Sequence, residues 1–327
     1  VMKINNGNVV ILGMLLMVML FSGCNGSAEE TTDENAGGTD ETVEPADGEA
    51  TDGFPKTIHH AKGETVIESK PETVAILYFP YAEHLFAIDE ASLVGGVVGL
   101  KSLQNFPVYE PFLASGEIID LGDEANLEQI VELNPDVIIA TEIDDKIYDQ
   151  LEKITDTVMI PMSENWQETI IQVGAVVGEE EKAQQYIDSF NQKLTDIAAT
   201  MEQTDQKGKT ALFMMTWANG FNYYSGVRMA HYYEELGFEP FAELDDYGEI
   251  GLEGVSELDP DYIFLAEDFT ETAETKLQDL EESPVWNQLT AVKHDHVYVV
   301  DTEMMGPLAM GQFKGLEVIE QIMSEAE

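Results

Sequence analysis

Arg228 is the only arginine in a chain of 327 residues. It stands just after Ser225-Gly226, where a helix running toward Tyr233 is expected to begin. A guanidinium there presents a planar fork of N–H donors to a carboxylate or another anionic oxygen. Aromatic residues gather at two places: Tyr78, Phe79 and Tyr81, then Trp217, Phe221 and Tyr223 with Asn219 among them. Such rings give contact area at little entropic cost, which suits a bulky, partly apolar ligand. Lys101 is the best second base, and Thr141-Glu142, Glu267-Asp268 and Met304-Met305 each follow an apolar run. His231 lies three residues after Arg228 and is the histidine whose place suits an axial haem ligand, opposite Met304 or Met305. His59 and His60 read as hairpin residues, His84 as a packed helix residue, and His294 and His296 as exposed turn residues.

Bond-making chemistry has no comparable foothold. HExxH, GxSxG, GxGxxG and GxxxxGK[ST] are all absent from the sequence, and no nucleophile–base pair stands out. With 64 Asp and Glu, two carboxylates close in sequence carry no information. The pattern is that of binding without a resident metal or cofactor, not catalysis.

The charge balance narrows the partners. Fifteen Lys and Arg against 64 acids leave a formal net charge of −49. A field this negative repels phosphate backbones and excludes nucleic acid as a partner. The stretch Asn25–Phe54 holds ten acids and no base, so the remainder still carries −39. Density of this kind suits a saline or alkaline exterior, where salt screens self-repulsion. The single cysteine, Cys24, removes any intrachain disulfide framework and any cysteine zinc site.

The elements that must position these residues are α/β in pattern. Thr57–His60 and Thr65–Glu68 flank Ala61-Lys62-Gly63-Glu64 as an entry hairpin. Buried strands are expected at Thr73–Leu77, Val94–Gly99, Glu117–Asp120, Val137–Ala140 and Val158–Ile160, with a helix near Tyr81–Ile88. Asn165-Trp166-Gln167-Glu168 reads as a capping box opening a helix. After Gly178, Ala183, Tyr186, Ile187, Phe190, Leu194, Ile197, Ala198 and Met201 form a 3.6-residue stripe. Roughly 24 residues at ~1.5 Å each give a rod of about 36 Å, long enough to bridge two lobes. Strands at Thr210–Met215, Tyr262–Leu265 and Val297–Val300 build a second α/β unit.

One internal repeat supports two related lobes. Leu127–Ile138 and Leu252–Ile263 share seven of twelve residues at a constant offset of 125. Each copy reads as a short helix, a Pro-Asp turn and a buried strand. Ligands of open α/β sheets bind beyond the carboxyl ends of the strands. That rule selects Tyr78, Tyr81, Lys101 and Thr141 in one lobe, and Trp217, Asn219, Phe221, Tyr223, Arg228 and Met304 in the other.

The first residues resemble a secretory signal peptide closing in a lipoprotein box. Lys3 is followed by an apolar run, Val9–Phe21, which is too short to cross a bilayer and ends in Leu20-Phe21-Ser22-Gly23-Cys24. The resemblance implies cleavage before Cys24 and a diacylglyceryl thioether on its sulfur. Phe21 departs from the leucine usual at that place.

From about Lys56 to Met323 the chain resembles the substrate-binding proteins of ABC importers for iron–siderophores, haem and cobalamin. The likeness rests on the Thr57–Glu68 hairpin before Pro71, the two Leu-Glu…Pro-Asp segments, Trp166…Lys182-Ala183, and Pro284-Val285-Trp286…Leu289…Ala291-Val292-Lys293…Val297-Tyr298. Gly306-Pro307-Leu308 resembles the iron-complex members. The resemblance implies two Rossmann-like lobes joined by a long backbone helix, with the ligand cleft between them. The expected organisation is a signal peptide over 1–23, a lipidated cysteine and acidic tether over 24–55, an N-terminal lobe over 56–162, a helical backbone over 163–206 and a C-terminal lobe over 207–327.

The expected function is capture of a ferric siderophore by a monomeric lipoprotein, which delivers it to an ABC permease dimer and its ATPase. So few bases favour a hydroxamate- or citrate-type chelate over an anionic catecholate. Haem or cobalamin is the alternative within the class, and an extracellular enzyme on a two-lobed scaffold is the alternative outside it. Glu128 and Glu253 hold the same place in the two repeat copies. The helix dipole alone favours an acid there. The resemblance implies a further role, docking one acid per lobe onto permease arginines.

Overall fold

The structure is a computed structural model that describes residues 53–204, 206–266 and 277–325. The expectations for 1–23, for Cys24 and for nearly all of the tether lie outside the described residues, as do those for Glu267 and Asp268. Phe54 is buried in the core, so folded packing begins just before the expected start at Lys56. An antiparallel hairpin follows, β1 (Lys56–His60) and β2 (Gly63–Ile67).

The N-terminal sheet contains β3 (Val74–Ile76), β4 (Val94–Val97), β5 (Ile119–Asp120), β6 (Val137–Ala140) and β7 (Asp156–Met159). Its order is β5-β4-β3-β6-β7, with every pair parallel. All residues of β3 and β6 are buried, the mark of a parallel sheet covered on both faces. Two residues separate β3 from helix α1 (Phe79–Ala87), which has Pro80 in its first turn where a missing N–H costs nothing. Helix α2 (Leu127–Leu133) precedes β6.

Two helices then carry the chain to the second lobe. Asn165 caps α3 (Trp166–Val177) by accepting from Gln167 N at 3.1 Å, whereas the capping-box reading had paired it with Glu168. Gly178 takes a left-handed φ of 76° and ends it. The 24 residues of α4 (Glu180–Gln203) follow, burying Ala183, Ile187, Phe190, Leu194, Ile197 and Met201. Trp166 meets Phe190 edge-on at 5.0 Å, locking α3 to α4.

The C-terminal sheet contains β8 (Ala211–Trp217), β9 (Gly220–Tyr224), β10 (Tyr247–Ile250), β11 (Tyr262–Ala266) and β12 (Val297–Val299). Its order is β10-β9-β8-β11-β12. Strands β8, β11 and β12 are parallel, while β9 and β10 add an antiparallel edge beyond the three strands expected from the sequence. Helix α5 (Leu252–Leu258) precedes β11, and α6 (Ala309–Glu325) closes the described chain.

The repeat has a physical basis. Helices α2 and α5 are each seven residues long and end in left-handed caps, Asn134 at φ 52° and Asp259 at φ 45°. Asp136 Oδ2 then accepts from Glu72 N and Thr73 N, both at 2.8 Å. Its counterpart Asp261 Oδ2 accepts from Thr210 N at 3.0 Å and Thr210 Oγ1 at 3.1 Å. Each Pro-Asp turn therefore clamps the start of its lobe's first strand. The fold is α/β: two Rossmann-like lobes joined by a long helix.

Candidate ligand-binding cleft

Residues beyond the carboxyl ends of β3 and β12 meet across the lobes. Tyr78, Phe79 and Pro80 follow β3, and with Phe106 they form one wall of a cavity of about 140 Å³. Tyr224, Arg228 and the segment Thr302–Leu308 form the other wall, except for Met304. A second, wider cavity of about 300 Å³ is lined by Ser163, Glu164, Asn165, Ser225, Val227, Arg228, Asp246 and Tyr247. Arg228 belongs to both.

Local backbone chemistry sets this arginine. Gly226 opens the short helix Gly226–Ala230 at φ 61°, and a Cβ there would lie 2.4 Å from the Asp246 carboxyl carbon. Only glycine meets both demands. Gln312 Nε2 donates to Arg228 O at 2.9 Å and Gly306 O at 2.7 Å, tying the arginine's backbone to the loop after β12. The guanidinium donates through Nε to Glu164 and through a terminal nitrogen to Met305 O at 3.4 Å. It lies 5.2 Å from the centre of the Tyr224 ring, within cation–π range.

The aromatic wall is held rigidly. Tyr78 meets Tyr81 edge-on at 5.2 Å, and Tyr81 OH donates to Ile160 O at 3.0 Å. Burial pushes the Tyr78 hydroxyl above its usual pKa, with the Arg228 charge pulling the other way. Tyr78 is therefore a neutral phenol at any physiological pH, able to donate or accept.

Glu303 is the unexpected member. It lines the smaller cavity and is only 2% exposed. Neither carboxylate oxygen finds a partner in another residue. Burial, reinforced by the Asp301 charge, lifts its pKa to about 7, while its own backbone N–H and Lys314 oppose the shift.

The expected site residues are dispersed. Tyr78 and Arg228 line the cleft together, and Tyr81 stands behind Tyr78 as its support. Phe221 and Tyr223 instead face inward, buried with Leu212, Met214 and Trp286 in the core of the C-terminal lobe. The reason is parity: in strand β9 successive side chains point to opposite faces, so Tyr224 reaches the cleft. Met304 and Met305 are both buried in the core, and of the two only Met305 lines the smaller cavity. Thr141 is buried and caps the turn Glu142–Asp144, accepting from Ile143 N at 3.3 Å. Lys101 is exposed and pairs with Asp123 at 3.3 Å. Trp217 ends β8 beside the turn and Asn219 is exposed on it; neither lines these two cavities. His231 is buried edge-on to Phe190 at 5.2 Å, and its pKa is pushed down to about 3 by burial. His231 lines neither of these two cavities.

Phe79, named with Tyr78 and Tyr81 in the sequence, lines the smaller cavity, whereas Phe106, Glu164, Tyr224 and Glu303 are not singled out by the sequence. Alternation in Phe221-Asn222-Tyr223-Tyr224 is the signal that could have found Tyr224. Among the described residues, no group of three His, Cys, Asp or Glu could hold a metal ion.

Comparison with known proteins fits this geometry. A family model described as periplasmic binding protein matches residues 74–304. The chain belongs to the periplasmic binding protein family. It is 26% identical over 317 residues to the iron(3+)-hydroxamate-binding protein YxeB of Bacillus subtilis (strain 168), covering 92% of this chain and 91% of that one. It is 32% identical over 196 residues to the iron-uptake system-binding protein of the same organism, or 58% of this chain and 61% of the relative. Among solved structures, Bacillus subtilis FeuA complexed with ferri-bacillibactin aligns with a TM-score of 0.67 at 25% identity, covering 83% of this chain and 98% of that one. Staphylococcus aureus SirA complexed with staphyloferrin B shares the fold at a TM-score of 0.68 and 22% identity, over 81% and 97% of the two chains.

Proposed function

We propose that this periplasmic binding protein is a lipid-anchored receptor that captures a ferric siderophore and delivers it to an ABC importer. The observation that carries the reading is Arg228, held between the lobes beside Tyr78, Phe79, Phe106 and Tyr224. Rings on two walls supply apolar contact to a bulky chelate, and one guanidinium supplies donors to its oxygens. A single base, already paired with Glu164, suits a hydroxamate or citrate chelate better than a trianionic catecholate. The full-length likeness to a hydroxamate-binding relative supports the same choice. The work done is binding, without bond-making. Cys24 would carry the acyl anchor, and Cys24→Ala is expected to release the protein into the medium, since two acyl chains give stable attachment.

Calorimetric titration with a ferric trishydroxamate, ferric citrate and a ferric tricatecholate tests the reading. The expected result is saturable binding of an oxygen-rich ferric chelate that is recovered unmodified. Absence of binding to all three, or turnover of any, would remove it.

A further inference from the structure

Buried polar groups are almost always paired, and a dry carboxylate without a partner is costly. Of the unpartnered buried polar side-chain atoms among the described residues, only those of Glu303 belong to a residue lining the smaller cavity. Its surroundings do not neutralise it. Asp301 adds a like charge, and Lys314 is itself paired with Glu317 at 3.0 Å. The other charged residue of this cavity, Arg228, is taken by Glu164, the Met305 carbonyl and the Tyr224 ring. Without ligand the cavity therefore holds one satisfied cation and one unsatisfied acid. A tail without donors would leave the Glu303 oxygens unpaired; a neutral donor could pair them, and an ammonium both pairs them and balances their charge.

We propose that Glu303 is the counter-group for an ammonium-bearing arm of the chelate. The inference rests on the ferric-chelate reading and narrows it to chelates whose iron-binding groups leave a free primary amine. Arg228 then faces the oxygens around iron while Glu303 receives the arm, so the two opposite charges orient the ligand.

The test compares a linear ferric trishydroxamate ending in a primary amine with the same chelate acetylated at that amine. Both are titrated calorimetrically at pH 8.5, where the amine is protonated and the acid ionised. Wild-type protein is expected to bind the amine form about 10-fold or more tighter, the scale of one charge-assisted bond. In Glu303→Gln that preference is expected to fall to within about twofold. Equal binding of both chelates by the wild type would overturn the role of Glu303 while leaving the ferric-chelate reading intact. Binding of neither, nor of ferric citrate, would overturn both. A preference that survives Glu303→Gln would place the amine elsewhere. The two-ligand comparison on wild-type protein needs no variant to fold.

Discussion

The backbone N–H of Ala309 donates to the Glu83 carboxylate at 3.1 Å across 226 residues of chain. Met310 N donates to the same carboxylate. Glu83 lies fully buried on α1 of the N-terminal lobe, and the two amides open α6, which follows the last strand of the other lobe. An acid from one lobe thus caps a helix of the other, where free N–H groups and the helix dipole both favour negative charge. The cleft walls are pinned to each other at this point.

Glu83→Ala should therefore leave one buried and one part-buried amide unpaired and cost about 2–3 kcal/mol of stability. Glu83→Gln, which keeps one acceptor, should cost less. Urea unfolding of the three proteins measures the differences. Equal midpoints would mean that the lobes hold together without this cap.

His231 makes stability depend on acid. Burial holds its folded-state pKa near 3, below the ordinary value of 6.5. In the unfolded chain it gains a proton as pH falls through 6.5, whereas the native state binds none until pH approaches 3. Its share of stability is thus present above pH 6.5 and lost progressively toward pH 3, by about 5 kcal/mol in all. Glu303 acts with the opposite sign, because its folded pKa is raised to about 7 and its contribution grows as pH falls from there toward 4.5. Chemical unfolding at pH 7 and pH 4 should show a smaller acid loss in His231→Phe than in wild type. Identical losses would remove the histidine from the account.

Glu128 and Glu253 are exposed in the first turns of α2 and α5, and neither lines the cleft cavities. Replacing both with Ala should leave chelate affinity unchanged while abolishing uptake and ligand-stimulated ATPase activity in vesicles reconstituted with the permease. Normal transport by the double variant would leave them as ordinary helix-start acids.

Much of the fold is legible because buried parallel strands are short apolar runs. Val137–Ala140 and the 24-residue stripe of α4 could hardly be read otherwise. The repeat was visible too, although the clamps made by Asp136 and Asp261 were not, since their partners lie 64 and 51 residues away. The site was harder. One step of strand parity separates Tyr223 in the core from Tyr224 in the cleft, and one step of a turn separates Met304 from Met305. Lone Arg228 stood out because no other arginine competes with it. Glu303 could not stand out among 64 acids; only burial and a missing partner distinguish it.

The central claim is that the interlobe cleft around Arg228 captures the ferric chelate. Its most direct test is the affinity of Arg228→Ala for a ferric trishydroxamate, measured by calorimetry beside the wild type. Loss of a partly buried, charge-assisted contact predicts binding weaker by about 1.5–3 kcal/mol, roughly 10- to 100-fold in Kd. Wild-type affinity in a folded Arg228→Ala protein would contradict the account and move the site elsewhere.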